Sequence, residues 1–388
     1  MAANNRIFYA CQIVGLANHG TAASASAHTV AHGVQSVGIT TNFNLEQAFE
    51  LGQIQIYENI EGLPDVEVTM EKVLDGYPLL YHLASPSPDS VGLVGRGKSR
   101  CDLSLGIYSD AYDSVTDSGN KGEADVEVYC SGMYIGSISY TIPVDGNCTE
   151  SITLQGNNKE WITGSTGKHL TSDGTAFGKQ QSYSSTNVPD APLGLSQFGS
   201  GGIQRRENVL LSKCIFPVGV YGVTGTSAGN ALAGNTGEPL VHIQNISIST
   251  DFSREDILEL GRKTPYFRSP GFPIEVTCDI EAIAVSGDFI GAYEDGDPAL
   301  FCTPASGDNT GEESIQIHLL DSTVFDLGAS NRLSSVSYGG GDATGGNVSI
   351  SYSYANFNEL EVLHMQDLAK GLYDTDQNAL VHREATTC

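Results

Sequence analysis

Gln35–Pro64 reads QSVGITTNFNLEQAFELGQIQIYENIEGLP, and Gln244–Pro273 reads QNISISTDFSREDILELGRKTPYFRSPGFP. The two stretches agree at 11 of 30 positions without a gap. Average residue usage would give roughly two matches. With one residue deleted, Glu67-Val68-Thr69 then matches Glu275-Val276-Thr277. The chain carries one unit twice, and this repeat organises everything else in its sequence.

Val37–Thr41 and Ile246–Thr250 alternate apolar and polar residues, the pattern of a half-buried strand. A short helix is expected after each. In the first copy Asn44 stands at the N-cap with Gln47 three residues on, and in the second Ser253 with Asp256. Gly52 and Gly261 follow as left-handed residues past the helix ends. The predicted helices are therefore Leu45–Leu51 and Arg254–Leu260, with Leu51 and Leu260 facing inward. Phe43 and Phe252 are expected to pack each helix onto a sheet. Further strands are expected at Asp102–Tyr108 and Met133–Thr141 in the first half, and at Ser314–Leu320 and Asn347–Tyr354 in the second. The phrase at Gly136–Thr141, GSISYT, parallels NVSISYS at Asn347–Ser353. Each half opens with an apolar run, Ile7–Leu16 and Cys214–Val223. The fold class is mainly β: two tandem β-barrel or β-sandwich domains, each with one short flanking α-helix. The boundaries fall at 1–155 for the first domain, 156–205 for a polar linker or inter-subunit arm, 206–370 for the second domain, and 371–388 for a polar tail.

The 388 residues suffice for two hydrophobic cores. Many glycines, 45 of them, suit short strands joined by turns. Forty-six acidic and 19 basic residues give a formal charge of −27. That balance argues against nucleic acid as a bound partner, which needs a positive footprint. No apolar run reaches the length of a membrane span, and Met1–Gly20 lacks the pattern of a secretory signal. Eight scattered cysteines, none in a CxxC pair, are expected to be buried reduced thiols in a cytoplasmic setting.

Gly92–Ser99, GLVGRGKS, fits the phosphate-loop pattern GxxxxGK[ST]. That chemistry needs a preceding buried strand and a following helix. Here a polar Ser-Pro-rich loop precedes it and an alternating, strand-like segment follows. An exposed turn carrying Arg96, Lys98 and Arg100 is the expectation, a basic island suited to a salt-bridge contact between subunits. His19, His28 and His32 share one small-residue loop without regular metal-ligand spacing. No GxSxG, HExxH or comparable constellation occurs, so neither catalytic, cofactor-binding nor metal residues are assigned.

Ser36–Tyr81, and within it FELGQIQIYENIEGLPDVEVTMEKVLDGYP at Phe49–Pro78, resembles tail-tube and related virion structural proteins of long-tailed bacteriophages. The resemblance covers under a fifth of the chain directly and reaches the second half through the repeat. It implies a tail-tube-like domain: a small β-barrel or sandwich, six of which form a ring, with rings stacking into a tube around a continuous inner barrel. The helices of such a domain pack outside that barrel. Two domains per chain then imply three chains in a pseudo-hexameric ring. The implied role is a non-enzymatic structural subunit of the tail tube, the conduit for genome ejection. It implies a virion location after assembly in the host cytoplasm. The implied partners are further copies of the chain and other tail proteins (baseplate, terminator, tape measure, a sheath where present). DNA passes without specific binding, and no membrane is involved. A negative lumen would let DNA slide. Alternatives are another ring component of the same fold, such as a baseplate, tail-terminus or decoration protein, or a carbohydrate-binding β-sandwich, for which Tyr108–Tyr112 is the nearest feature. One departure stands out: Arg262-Lys263-Thr264-Pro265 replaces Gln53-Ile54-Gln55-Ile56, so the second copy's strand is expected to begin differently or to be an edge.

Overall fold

A computed structural model describes residues 7, 9–20, 28–52, 54, 56–85, 92–108, 124–163, 169, 203–211, 214–217, 220, 242–284, 312–321, 323–339, 346–363, 373–374 and 379–380. The strands are β1 (Gln12–Asn18), β2 (Thr29–Val30), β3 (Val34–Phe49), β4 (Ile56–Val73), β5 (Cys101–Ile107), β6 (Val126–Pro143), β7 (Thr149–Gly156), β8 (Glu160–Ile162), β9 (His242–Asp251), β10 (Glu255–Ile257), β11 (Phe267–Ser269), β12 (Glu275–Ile283), β13 (Gln316–His318), β14 (Val324–Asp326), β15 (Arg332–Gly339), β16 (Ser349–Phe357), β17 (Glu361–Leu363), β18 (Tyr373–Asp374) and β19 (Ala379–Leu380). The protein is mainly β with large antiparallel sheets, as its sequence predicts.

The main sheet runs β3-β4-β7-β6-β9-β12-β16-β15, with every neighbour antiparallel. β6 is long enough to serve two sheets. Tyr134–Thr141 pairs with β7 and Ser137–Pro143 with β9, while Val126–Met133 pairs with β5. β5 continues to β1 and β2, and β8 pairs with β6 on the other side. The main sheet itself crosses from the first half of the chain to the second at β6 and β9.

Alternation makes one face of this sheet apolar. Val66, Val68 and Met70 of β4, Ile152 and Leu154 of β7, Ile246 and Ile248 of β9, and Val276, Cys278 and Ile280 of β12 are all buried. Each such side chain contributes about 1.5–3 kcal/mol by leaving water. The cover over this face changes between the halves. In the first it is the sheet of β1 and β5 with the helix Leu80–Ala84, here α1. In the second it is the small sheet β13-β14-β17, which buries Ile317, Phe325 and Val362. Phe325 reaches the junction and meets Tyr140 of β6 at 4.6 Å between ring centroids. Glu150 anchors α1: its carboxylate accepts the N–H groups of Leu80 and Tyr81 at 2.6 and 2.9 Å. Burial raises the pKa of this carboxyl, and those hydrogen bonds oppose the rise.

The two predicted flanking helices are corrected. Leu45–Phe49 is strand, the outer half of β3, and Glu255–Ile257 is β10. Among the described residues the short α-helices lie elsewhere, at Leu80–Ala84 and at Leu93–Arg96, here α2. The signals taken for helix caps are hairpin signals. Asn44 is a bulge residue whose Nδ2 donates to Leu63 O and Asp65 Oδ2, each at 2.9 Å. Opposite it, a Cβ on Gly62 would collide with Asn44 O. The second copy repeats this crossing: a Cβ on Gly271 would meet Ser253 O at 2.7 Å. Gly52 and Gly261 hold φ of +91° and +87° at the hairpin ends. A seven-residue helix is marginal alone, whereas the sixteen residues of β3 find a full cross-strand partner in β4. Leu51 and Leu260, predicted to face inward, are fully exposed, and Phe43 is exposed while Phe252 is buried.

Cys11, Cys101, Cys130, Cys148, Cys214 and Cys278 are free and buried. Burial pushes the Cys130 thiol up to about 11 and the Cys148 and Cys214 thiols up to about 12, which keeps them unreactive. Cys302 and Cys388 lie outside the described residues.

Asp321, in the turn between β13 and β14, is buried, and burial raises its pKa from 3.8 to about 6 despite a hydrogen bond from Thr323 N. The folded chain holds this proton between about pH 4 and 6, so stability falls as pH rises through that window. His28 acts oppositely: burial lowers its pKa to about 4, which favours folding as pH rises from there towards 6.5. Asp321→Asn removes the first contribution and keeps the second. The variant's stability relative to wild type should increase by about 3 kcal/mol between pH 4 and 7, read from urea midpoints. A constant difference across that range would contradict this assignment.

Candidate assembly surface

The main sheet consists of two four-stranded antiparallel units with matching order, the fourth strand of each lying between the second and the third. β3-β4-β7-β6 in the first half corresponds to β9-β12-β16-β15 in the second. The irregularities correspond too. Gln35 is bulged out of the β3–β4 ladder, and Gln244, its match in the repeat, out of β9–β12. In both, the side-chain Nε2 donates to the carbonyl two residues back at 3.3 Å. Gly136 is passed over between β6 and β7, and Ser334 likewise between β15 and β16. The parallel between GSISYT and NVSISYS is therefore corrected. Those phrases lie on β6 and β16, which hold different places in their units.

Between the two units, β6 pairs with β9 from Ser137↔Asp251 to Pro143↔Asn245. At the outside, β3 pairs only with β4, and β15 only with β16, among the described residues. Exposed edges are ordinarily blunted by Lys, Pro or charge. Ser36–Phe43 and Leu333–Gly339 carry none of these, so both edges offer unblocked backbone for pairing.

The face opposite the core is polar and acidic. One row across six strands reads Glu71, Ser151, Ser139, Ser249, Thr277 and Ala355. The carboxylates on this face include Glu67, Glu71, Asp279 and Glu281. From β4 to β16 its outward positions hold no Lys or Arg. A shallow groove of about 570 Å³ runs over this face at the junction, lined by Ser139, Ser249, Thr277 and Glu275. The signal was present in the sequence as period-two alternation of hydroxyl and apolar residues, in ISIST and SISYS for example. Which face the hydroxyls would present, and to what, required the sheet order.

β3 and β9 run in the same direction, so the hairpins they lead into leave the same rim of the sheet. The first hairpin presents Phe43, Leu45, Phe49 and Leu51, and the second Leu258, Leu260 and Tyr266. Residues 44–63 hold four acidic and no basic residues, whereas 253–272 hold three acidic and four basic. Arg268 ties the bases of the two hairpins together, with ion pairs to Asp65 at 3.3 Å and Asp256 at 2.8 Å. Arg254 lies over the Tyr134 ring at 4.9 Å and the Phe252 ring at 5.3 Å. Burial lowers its pKa to about 10, which still leaves it charged near neutrality. The second hairpin does begin differently at Pro265: its return strand is the short β11, where β4 is continuous.

The phosphate-loop match folds otherwise than that chemistry needs. Leu93–Arg96 is a single turn, and the strand after it, β5, is antiparallel to both neighbours. Arg96 is not part of an exposed island: it is buried, donates to Ser85 O at 3.0 Å and lies over the Tyr81 ring. Arg100 instead joins His19, Arg262 and Arg268 around a cleft of about 410 Å³. The three histidines of the first loop have separate neighbours. His19 pairs with Asp102 at 2.8 Å, His28 lies 3.3 Å from Ser104 Oγ, and His32 stacks on Tyr77. The loop at 109–112 and most of the linker and tail lie outside the described residues. At the linker's start, Glu160–Ile162 is β8, which carries Trp161.

No family model and no curated protein matches the chain. Among solved structures, it is similar to the tube-terminating cap of the anti-feeding prophage, at 15% identity over 42% of this chain and 95% of that one, with a TM-score of 0.30. A chain from the extended PVC sheath-tube complex, an extracellular contractile injection system, matches at 15% identity over 42% and 95%, with a TM-score of 0.27. The sheath/tube terminator of that system matches at 15% identity over 42% and 99%, also at 0.27. Scores this low do not establish a shared fold.

Proposed function

We propose that this protein is a self-assembling structural subunit of a phage-type tail, and that three chains close edge to edge into a ring. The observation that carries the reading is the main sheet: two corresponding four-stranded units joined through β6 and β9, with the outer edges of the same pair of units unpaired among the described residues. A sheet ending this way grows until it closes, and closure removes its edges. Three eight-stranded sheets give a barrel about 40–50 Å across between backbones, from strand spacing and typical tilt. That width leaves an open passage where a small barrel has a packed core.

The polar face then lines the passage. Its carboxylates repel phosphates, and its serines and threonines present a hydrated wall, so DNA passes without being held. The hairpins at one rim serve stacking of one ring on the next, which makes the ring a tail-tube segment. A terminator or cap ring of the same construction is the second reading, and the difference lies in whether rings stack. The subunit acts in the virion, assembles in the host cytoplasm, and performs no catalysis.

Negative-stain electron microscopy and light scattering of the purified chain test this. Rings with three-fold or pseudo-six-fold symmetry are expected, stacked into tubes for the first reading and discrete for the second. A chain that stays monomeric at tens of micromolar overturns both.

A further inference from the structure

The joint within the chain specifies the joint between chains. We infer that β15 of one copy pairs antiparallel with β3 of the next in the register Ser335–Asn42, Val336–Thr41, Ser337–Thr40, Tyr338–Ile39 and Gly339–Gly38. This rests on the ring reading above and adds the residues that meet.

Two correspondences and one set of observed pairs fix this register. β9 is laid on β3 by matching their bulged residues, Gln244 on Gln35. β15 is laid on β6 by matching the residues their ladders pass over, Ser334 on Gly136. Inside the chain, β6 and β9 pair as Ser137↔Asp251, Ile138↔Thr250, Ser139↔Ser249, Tyr140↔Ile248 and Thr141↔Ser247. Replacing each β6 residue by its β15 counterpart and each β9 residue by its β3 counterpart yields the register stated.

Side-chain chemistry agrees row by row. On the core side, Tyr338 falls beside Ile39 as Tyr140 falls beside Ile248, and Val336 beside Thr41 as Ile138 beside Thr250. On the open side, Ser337 meets Thr40 as Ser139 meets Ser249. Gly339 meets Gly38 where Thr141 meets Ser247. A slip of one residue would send every side chain to the wrong face. The exposed edge residues acquire a reason: Tyr338 is 52% exposed where Tyr140 is 1%.

The same substitution reaches the hairpin base. Phe252 N donates to Gly136 O at 2.8 Å, which places Phe43 N against Ser334 O of the next copy. Phe43 is 71% exposed in the single chain and Phe252 0%. The first hairpin's apolar base is therefore covered by the neighbouring copy, as the second hairpin's is covered within its own chain. One element has no counterpart. Arg268 bridges to Asp65 within the chain, but the residue matching Arg268 is Asn59. The joint between chains lacks this ion pair and opens before the joint within.

Paired cysteines test the register. Residues facing each other across an antiparallel pair lie at disulfide distance, and a shift of two residues takes them out of range. The full chain carrying Thr40→Cys with Ser337→Cys, both at exposed positions, should give covalent dimers and trimers on mild oxidation. The chain carrying Gly38→Cys with Ser337→Cys should not, and wild type sets the background from native thiols. Both variants are imaged in parallel. Rings with cross-linking only in the first pair support the register. Rings with cross-linking in the second pair, or in neither, overturn the register and leave the ring reading standing. Folded chains that form no rings, wild type included, overturn the ring reading and the joint with it.

Discussion

Phe252→Ala should lower the free energy of unfolding by about 3–5 kcal/mol, while Phe43→Ala, its counterpart in the first copy, should change it by less than about 0.5 kcal/mol. The two phenylalanines hold one position in the repeat, yet Phe252 is fully buried and Phe43 largely exposed. Phe252 sits where β9 leaves the sheet, against Gly97 beyond α2, and its ring lies 5.3 Å from the Arg254 guanidinium. Truncation leaves a cavity at the meeting of the two halves and removes the ring from beneath a half-buried cation. Urea denaturation of each variant under non-assembling conditions reads the difference. Phe43→Ala should instead weaken association, visible as a rightward shift of the concentration at which rings appear. Equal losses of stability in both variants would mean that the first hairpin packs within its own chain, and the open-edge reading would fall.

The second large effect is expected at Tyr338. Replacing it by Asp should leave the single chain folded, since the side chain is half exposed at an edge, and should abolish assembly. In the joint within the chain, the corresponding Tyr140 is buried, packs on Phe325 and donates to Glu150 at 3.1 Å. An unpaired carboxylate in such a place costs several kcal/mol, so each joint should weaken by more than about 100-fold. Tyr338→Phe keeps the apolar body and should assemble. Sedimentation at matched concentrations separates the two variants, with circular dichroism confirming that Tyr338→Asp is folded. Rings formed by the Asp variant would sink the edge assignment. Tyr140→Asp should fail differently, by unfolding the chain.

Several features of this protein were legible without coordinates. The repeat of Gln35–Pro64 in Gln244–Pro273, the alternation of Val37–Thr41 and Ile246–Thr250, and the strand at Met133–Thr141 are local patterns, and local patterns carry strand periodicity directly. The burial of the six described cysteines followed from their isolation in the sequence. The helix predictions failed because Asn, Ser and Gly serve helix caps and hairpin bulges alike. Asn44 and Gly52 satisfy both descriptions, and only the presence of Ile56–Leu63 as a cross-strand partner selects the hairpin.

The sequence by itself determined that this protein is β-rich and that Gln35–Pro64 recurs in Gln244–Pro273, because identity and alternation are properties of neighbouring residues. Only the tertiary structure decided that the two halves share one sheet, that β3 and β15 are its outer strands among the described residues, and that the serines, threonines and carboxylates fall together on the face opposite the core. Those properties depend on strand order and on pairings between residues far apart in the chain, such as Asp65 with Arg268. Matched positions in the two copies also differ in what lies beside them, and Phe252 is buried where Phe43 is exposed.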